Sequence, residues 1–250
     1  MCRHLGFLGS PRTLHDVVYG PEHSLERQSY APKLNLFNVL NADGFGVGWH
    51  TAGRTVRYRR AVPIWTDVSF AEVAEVVSAG SVVGAVRSAT SGFPVDESCA
   101  QPLRCETWLF SHNGRVDDFG GVEMKLRELA GDLSSVPEAR APLDSALLFA
   151  IAVGRWRAGR SLGGGLADTV TSVAAFAPGR YNLLAADGTS LAATTWGDSL
   201  FVRALPDAVV IASEPYDDDP DWERVPDRSL VTASLLDGIP DIRLRPLNQA

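Results

Sequence analysis

Met1-Cys2-Arg3-His4-Leu5-Gly6-Phe7-Leu8-Gly9 opens the chain and decides how the remainder is read. If Met1 is removed, Cys2 becomes the terminal residue and carries a thiol and a free α-amine together. An ionised thiol is a strong nucleophile, and the amine can take its proton directly or through a water. An α-amine ordinarily has a pKa near ~8 and a cysteine thiol near ~8.5, so passing the proton between them costs little at neutral pH. Most nucleophilic side chains need a base delivered from elsewhere in the fold; here one residue holds both. Position alone favours an ordinary frayed terminus, because chain ends are usually poorly ordered. Against that, His4 to Gly9 is short and apolar and predicts a strand, which would pin Cys2 at the end of a sheet.

The 250 residues suffice for one large domain or two small ones, and no repeat, low-complexity linker or boundary divides them. A single domain over 2–250 is the expectation. A net charge of -7 disfavours a nucleic-acid surface and gives no support for an anionic membrane. No apolar run reaches the length of a spanning helix, and no apolar segment of a signal peptide follows Arg3-His4. A cytoplasmic location is therefore expected. Cys2, Cys99 and Cys105 are an odd set without CxxC spacing, which argues against a disulfide framework. The five histidines form no HxxxH or HExxH pair, so neither metal nor other cofactor is expected.

Further along, Leu14 to Tyr19 suggests a short helix, and polar Leu25 to Lys33 a surface loop. Asp43-Gly44-Phe45-Gly46-Val47-Gly48-Trp49 has glycines two apart, but no strand–loop–long-helix context makes it a phosphate loop. Residues 45–50 and 54–59 predict a hairpin around Ala52-Gly53. A helix over Val68 to Ser78 is expected to end at Gly80. The apolar strand Ser81 to Val86 delivers Arg87 at its end, in a tight polar stretch, Arg87-Ser88-Ala89-Thr90-Ser91-Gly92. An arginine so placed suits a carboxylate, although a solvated strand-end charge is commoner.

Trp108 to Ser111 reads as a strand that stops at His112-Asn113-Gly114, where Asn-Gly predicts a sharp turn. The Asn113 amide and the Gly114 N–H are two neutral donors of the kind an oxyanion hole requires. An ordinary turn is the alternative. Helices are expected at Val122 to Leu129 and from Leu143-Asp144-Ser145 onward; Asp144 is either a helix-start acid or a carboxylate offered to a ligand amine. From Val170 the pattern predicts a meander of short strands, 170–176, 181–186, 191–195, 200–205 and 208–213. An acidic loop with Asp217-Asp218-Asp219 follows, then strands near 222–225 and 229–232 and an irregular tail from Pro240.

Cys2 offers a nucleophile and base, Asn113 and Gly114 an oxyanion site, and Arg87 and Asp144 the counter-charges of an α-amino-acid head. Together they describe cleavage of a γ-glutamyl amide.

Met-Cys at the start, the Asp43–Trp49 and Arg87–Gly92 stretches, His112-Asn113-Gly114 and Leu143-Asp144-Ser145 fall in the order seen in class II glutamine amidotransferase domains. The chain resembles that family of N-terminal-nucleophile hydrolases across its length. The resemblance implies an α+β fold, a four-layer αββα sandwich of two antiparallel sheets. It implies that Cys2 attacks, that Asn113 and Gly114 hold the oxyanion, and that Arg87 binds the α-carboxylate and Asp144 the α-amine. Many glutaminase members have Trp and His in the stretch beginning at Arg87, and often an acid at the place of Ala146; these departures weigh against glutamine itself. The opening Met1-Cys2-Arg3-His4-Leu5-Gly6 and the length look like one branch, the ergothioneine-pathway hydrolases of a γ-glutamyl-hercynylcysteine sulfoxide. That branch implies a small-molecule γ-glutamyl substrate whose other half is a trimethylated histidine betaine. Trp49, Trp65, Tyr30 and the loop near Asp217 are candidate linings for its quaternary ammonium. The other reading is a stand-alone glutaminase subunit that passes ammonia to a partner enzyme, since the chain ends where a synthetase or isomerase domain would begin. Oligomeric state is left open.

Overall fold

The computed structural model describes residues 2–34, 39–90 and 92–247. Met1 and Ser91 lie outside the described residues, and so therefore does the expectation that Met1 is removed.

In chain order the elements are β1 (Arg3–Thr13), α1 (Leu14–Val18), α2 (Leu25–Gln28), β2 (Phe45–Thr51), β3 (Arg54–Arg60), α3 (Val68–Val76) and β4 (Ser78–Val86). There follow β5 (Leu103–Cys105), β6 (Trp108–Val116), α4 (Phe119–Ala130), α5 (Asp144–Arg157) and α6 (Leu162–Ala174). The last strands are β7 (Gly179–Ala186), β8 (Ser190–Thr195), β9 (Phe201–Leu205), β10 (Ala208–Ala212), β11 (Glu223–Arg224), β12 (Ser229–Leu236) and β13 (Ile239–Pro246). One sheet runs β11-β9-β10-β1-β4-β2-β3 and the other β13-β12-β8-β7-β6-β5. Each strand pairing is antiparallel.

Alternation along the strands explains the layering. In β1, Leu5 and Phe7 pack outward with Val17 of α1 and Phe70 of α3. Leu8 faces inward, onto Leu109, Leu184 and Val231 of the other sheet. In β6, Leu109 faces inward while Phe110 packs outward against Phe149 of α5. Each such side chain contributes about 1.5–3 kcal/mol of burial. The outcome is helix, sheet, sheet, helix, with a core at each of three interfaces, as the resemblance implied.

Five local expectations fail for tertiary reasons. Leu25–Gln28 is a helical turn, not loop: Ser24 caps it and Leu25 is buried. Gly80 ends no helix; it sits within β4, where a Cβ would stand 2.7 Å from the Gly9 carbonyl oxygen. His112-Asn113-Gly114 is no turn but the interior of β6, held straight by eight residue pairs with β7, from Leu109↔Ala186 to Val116↔Gly179. Val170 to Phe176 is mostly helical: Leu162, Leu166, Val170 and Val173 are one buried stripe of α6, and its β-branched end imitates a strand. The tail forms β13, paired along its length with β12.

Candidate active site

A cavity of about 260 Å³ opens where β1, β4 and β6 meet the start of α5. Cys2, Arg87, Gly114 and Asp144 all line it, as do Ser88, Gln101, His112, Ser145 and Arg180. Residues distant in sequence meet there because β1 is the central strand: Arg3 pairs with Val86 of β4, and His4 reaches β6 through Ser111, Nδ1 to Oγ 3.2 Å. The nucleophile candidate is half-buried, its Sγ 3.9 Å from the Ser88 carbonyl oxygen. Arg3 Nη1 donates to the Cys2 carbonyl at 3.0 Å, which ties down the backbone at this residue.

Arg87 is buried at 5% exposure. Its Nη1 donates to the carbonyls of Pro94 (3.0 Å) and Asp43 (3.4 Å). Asp43 also accepts from the Ala89 N–H at 2.8 Å, so it braces the backbone on both sides of the arginine. Nε and Nη2 of Arg87 have no protein partner among the described residues. A buried guanidinium with half its fork unused is prepared for a carboxylate.

Asp144 begins α5 and is equally buried. Its Oδ2 accepts from the Val116 N–H at 2.8 Å, and its Oδ1 from the Ser145 N–H at 2.7 Å. The two readings of this residue therefore combine. The carboxylate is a helix-start anchor; Oδ1 also lies 3.3 Å from Ser145 Oγ, and Oδ2 keeps lone-pair capacity for an amine.

The register of β6 decides where the Gly114 N–H points. Tyr181, opposite Gly114, turns its N–H and C=O the other way, to Trp196 and Thr194. Gly114 must then face away from β7 as well, in the manner of His112 and Val116. The His112 N–H meets Gln101 Oε1 and the Val116 N–H meets Asp144 Oδ2. Gly114 lies between them and β5 ends before reaching it, so its N–H opens onto the cavity. A side chain here would collide with the Arg180 carbonyl oxygen, 2.0 Å from an ideal Cβ.

Asn113 alternates to the inner face and lines a neighbouring cavity with Arg3 rather than this one. It is 1% exposed, its Oδ1 is buried without a partner, and its Nδ2 has none among the described residues. The structure thus brings four of the five expected residues into one cavity and puts the fifth, next to Gly114 in the chain, on the neighbouring one.

Beneath the site runs a buried polar relay that sequence reasoning missed. Ser111 Oγ donates to Gln101 Oε1 (2.9 Å), and Gln101 Nε2 donates to Ser145 Oγ (3.3 Å). His112 Nε2 lies 2.9 Å from the Arg180 carbonyl, so it must be the protonated nitrogen, and Nδ1 then accepts from Ser145 Oγ at 2.9 Å. At the other end, burial above all, with the nearby His112 ring and Arg3 guanidinium, pushes the pKa of His4 down to about 3. His112 and Ser145 sat inside motifs already singled out; Gln101 gave no signal.

None of Trp49, Trp65, Tyr30 or Asp217 lines this cavity. Trp49 is core, and Trp65 stacks edge-on against Tyr30. The acidic loop's charges are already paired: Asp217 and Asp219 clamp Arg203 of β9, and Asp218 holds Lys33 at 2.6 Å. Glu22, His23 and Asp218 stand close enough to share a cation, but Lys33 already occupies that carboxylate. Cys2, Cys99 and Cys105 are free thiols. No helix among the described residues is long and apolar enough to cross a membrane.

No protein-family model matches the chain. It is 43% identical over 233 residues to the gamma-glutamyl-hercynylcysteine sulfoxide hydrolase of Mycolicibacterium smegmatis, covering 92% of this chain and 95% of that one. The Mycobacterium tuberculosis protein of the same name is 41% identical, with 92% of each covered. In three dimensions the chain is similar to a glutamine aminotransferase class-II domain protein from Silicibacter pomeroyi. The TM-score is 0.69, at 21% identity, with 97% of this chain and 98% of that one aligned.

Proposed function

The chain belongs to the γ-glutamyl-hercynylcysteine sulfoxide hydrolase family, and from that premise we propose how its residues hydrolyse the γ-glutamyl amide of that sulfoxide, a step of ergothioneine biosynthesis that releases glutamate and hercynylcysteine sulfoxide. One observation carries the residue assignment: Cys2, Arg87, Gly114 and Asp144 line one cavity.

Arg87 binds the glutamyl α-carboxylate through Nε and Nη2, and Asp144 receives the α-ammonium. The γ-carbonyl then meets Cys2. With Met1 removed, the α-amine takes the thiol proton and the sulfur attacks the carbonyl carbon. The oxygen becomes an oxyanion, held by the Gly114 N–H and the Asn113 Nδ2. When it collapses, the C–N bond breaks and the ammonium returns its proton to the departing amine. Water next attacks the thioester with the α-amine as base. The C–S bond breaks, glutamate leaves and the thiol is restored.

The test is a two-substrate assay with intact mass. Purified enzyme should lack Met1 and hydrolyse the sulfoxide in preference to glutamine. Fast glutamine turnover with none of the sulfoxide would favour an ammonia-delivering subunit instead. Active protein that retains Met1 would refute the amine as base.

A further inference from the structure

We propose that the cavity bordered by Arg3, Asn113, Asp198, Phe201, Arg224 and Asp227 holds the leaving half of the substrate, an α-amino-acid amine that also carries a cation. The inference rests on the hydrolase reading above and adds where the second half of the molecule goes.

This cavity has a volume of about 500 Å³. Its connection to the reaction is Asn113. Gly114 lines the glutamyl cavity, and Asn113, one residue earlier, lines this one. A carbonyl held by both donors stands between the two, with the glutamyl chain on one side and the scissile nitrogen on the other. Arg180, on the wall of the glutamyl cavity, holds Asp198 at 3.0 Å, so a single ion pair helps to separate the compartments. A third cavity, of about 510 Å³, shares Thr90, Phe93 and Arg115 with the glutamyl cavity but touches none of Cys2, Asn113 and Gly114. Val116, whose N–H anchors Asp144, lines that third space, which places it behind the glutamyl head.

The charges fit an amino-acid amine. In a γ-glutamyl cysteine derivative the scissile nitrogen is the cysteine α-nitrogen, so the adjacent carbon bears a carboxylate. Arg3 is 4% exposed, and its Nε is buried with no hydrogen-bond partner, 3.9 Å from Glu214 Oε1. Arg224 makes no ion pair among the described residues. Arg224 therefore keeps its donors for that carboxylate, and Arg3, already facing Glu214, adds positive charge beside it. Asp227, which makes no ion pair among the described residues, and the Phe201 ring supply the negative charge and aromatic surface that a cation at the far end needs.

The experiment compares steady-state kinetics on the sulfoxide and on γ-glutamyl methylamide, whose leaving group carries neither charge. Arg224→Ala and Asp227→Asn should each lower kcat/KM on the sulfoxide about tenfold more than on the methylamide, chiefly through KM. Inhibition by hercynylcysteine sulfoxide should weaken in parallel, while inhibition by glutamate should not. Equal losses on both substrates would overturn the proposal. So would a sulfoxide-selective loss in Asp117→Asn, which tests the third cavity. Wild-type enzyme that cleaves the methylamide but not the sulfoxide would overturn the functional reading itself, a result distinct from either.

Discussion

Asn113 and Asn182 face each other across β6 and β7, and replacing each with alanine should have opposite consequences. Both are buried. Asn182 is fully employed: its Nδ2 donates to the carbonyls of Asp198 (3.0 Å) and Ser199 (3.1 Å), and its Oδ1 accepts from the N–H groups of Trp196 (2.8 Å) and Asp198 (3.3 Å). Asn113 has a buried, unpartnered Oδ1 and an Nδ2 that holds nothing among the described residues. An unsatisfied buried polar group costs about 1–3 kcal/mol, so its removal offsets the small void that Asn113→Ala leaves. The stability of that variant should stay within about 1 kcal/mol of wild type, or roughly 2–4 °C in Tm for a chain of this size. Its kcat should fall by about 10²–10³, equivalent to about 2.7–4 kcal/mol of lost oxyanion stabilisation. Asn182→Ala should lose about 2–4 kcal/mol of stability, because several partners are left unpaired. The assays are thermal unfolding, glutamate release under saturating substrate, and inhibition by glutamate, which should hold in Asn113→Ala. If Asn113→Ala retained kcat within about fivefold of wild type, or melted as early as Asn182→Ala, the oxyanion assignment would be refuted.

Cys2→Ala should abolish turnover yet bind substrate, since the head-group contacts survive; calorimetric titration showing no binding would contradict this. Asp144→Ala should raise KM, if the carboxylate receives the ligand amine as proposed, and also lower Tm, because it anchors the Val116 and Ser145 N–H groups. If Asp144→Asn and Asp144→Ala shift Tm but leave KM alone, the residue is only a helix start. His4 gives a pH dependence. Its folded pKa, about 3, lies below the ordinary 6.5, so between those values the unfolded chain binds a proton that the fold refuses. Its contribution is complete above pH 6.5 and is lost as pH falls toward 3, at up to about 1.4 kcal/mol per unit. Urea unfolding of wild type should therefore lose about 2 kcal/mol more than His4→Gln between pH 7.5 and 5; parallel losses would exclude this origin.

Short-range chemistry was enough to read much of this protein from its residues. Cys2 ahead of an apolar strand, Arg87 at a strand end and Asp144 at a helix start are local patterns, and each stands where it was expected. Local signals misled wherever partner strands outweigh propensity. Asn113-Gly114 looks like a turn, yet pairing with β7 keeps it extended. That straightness sends the Asn113 side chain inward and leaves the Gly114 N–H facing the cavity that Cys2 lines. Gln101 became a site residue only because the folded chain brings its amide between Ser111, His112 and Ser145. Residue types determined which groups could nucleophilically attack, donate or bind charge. Strand register, a long-range property with no local code, decided which of them share a cavity and which face of β6 each one sees.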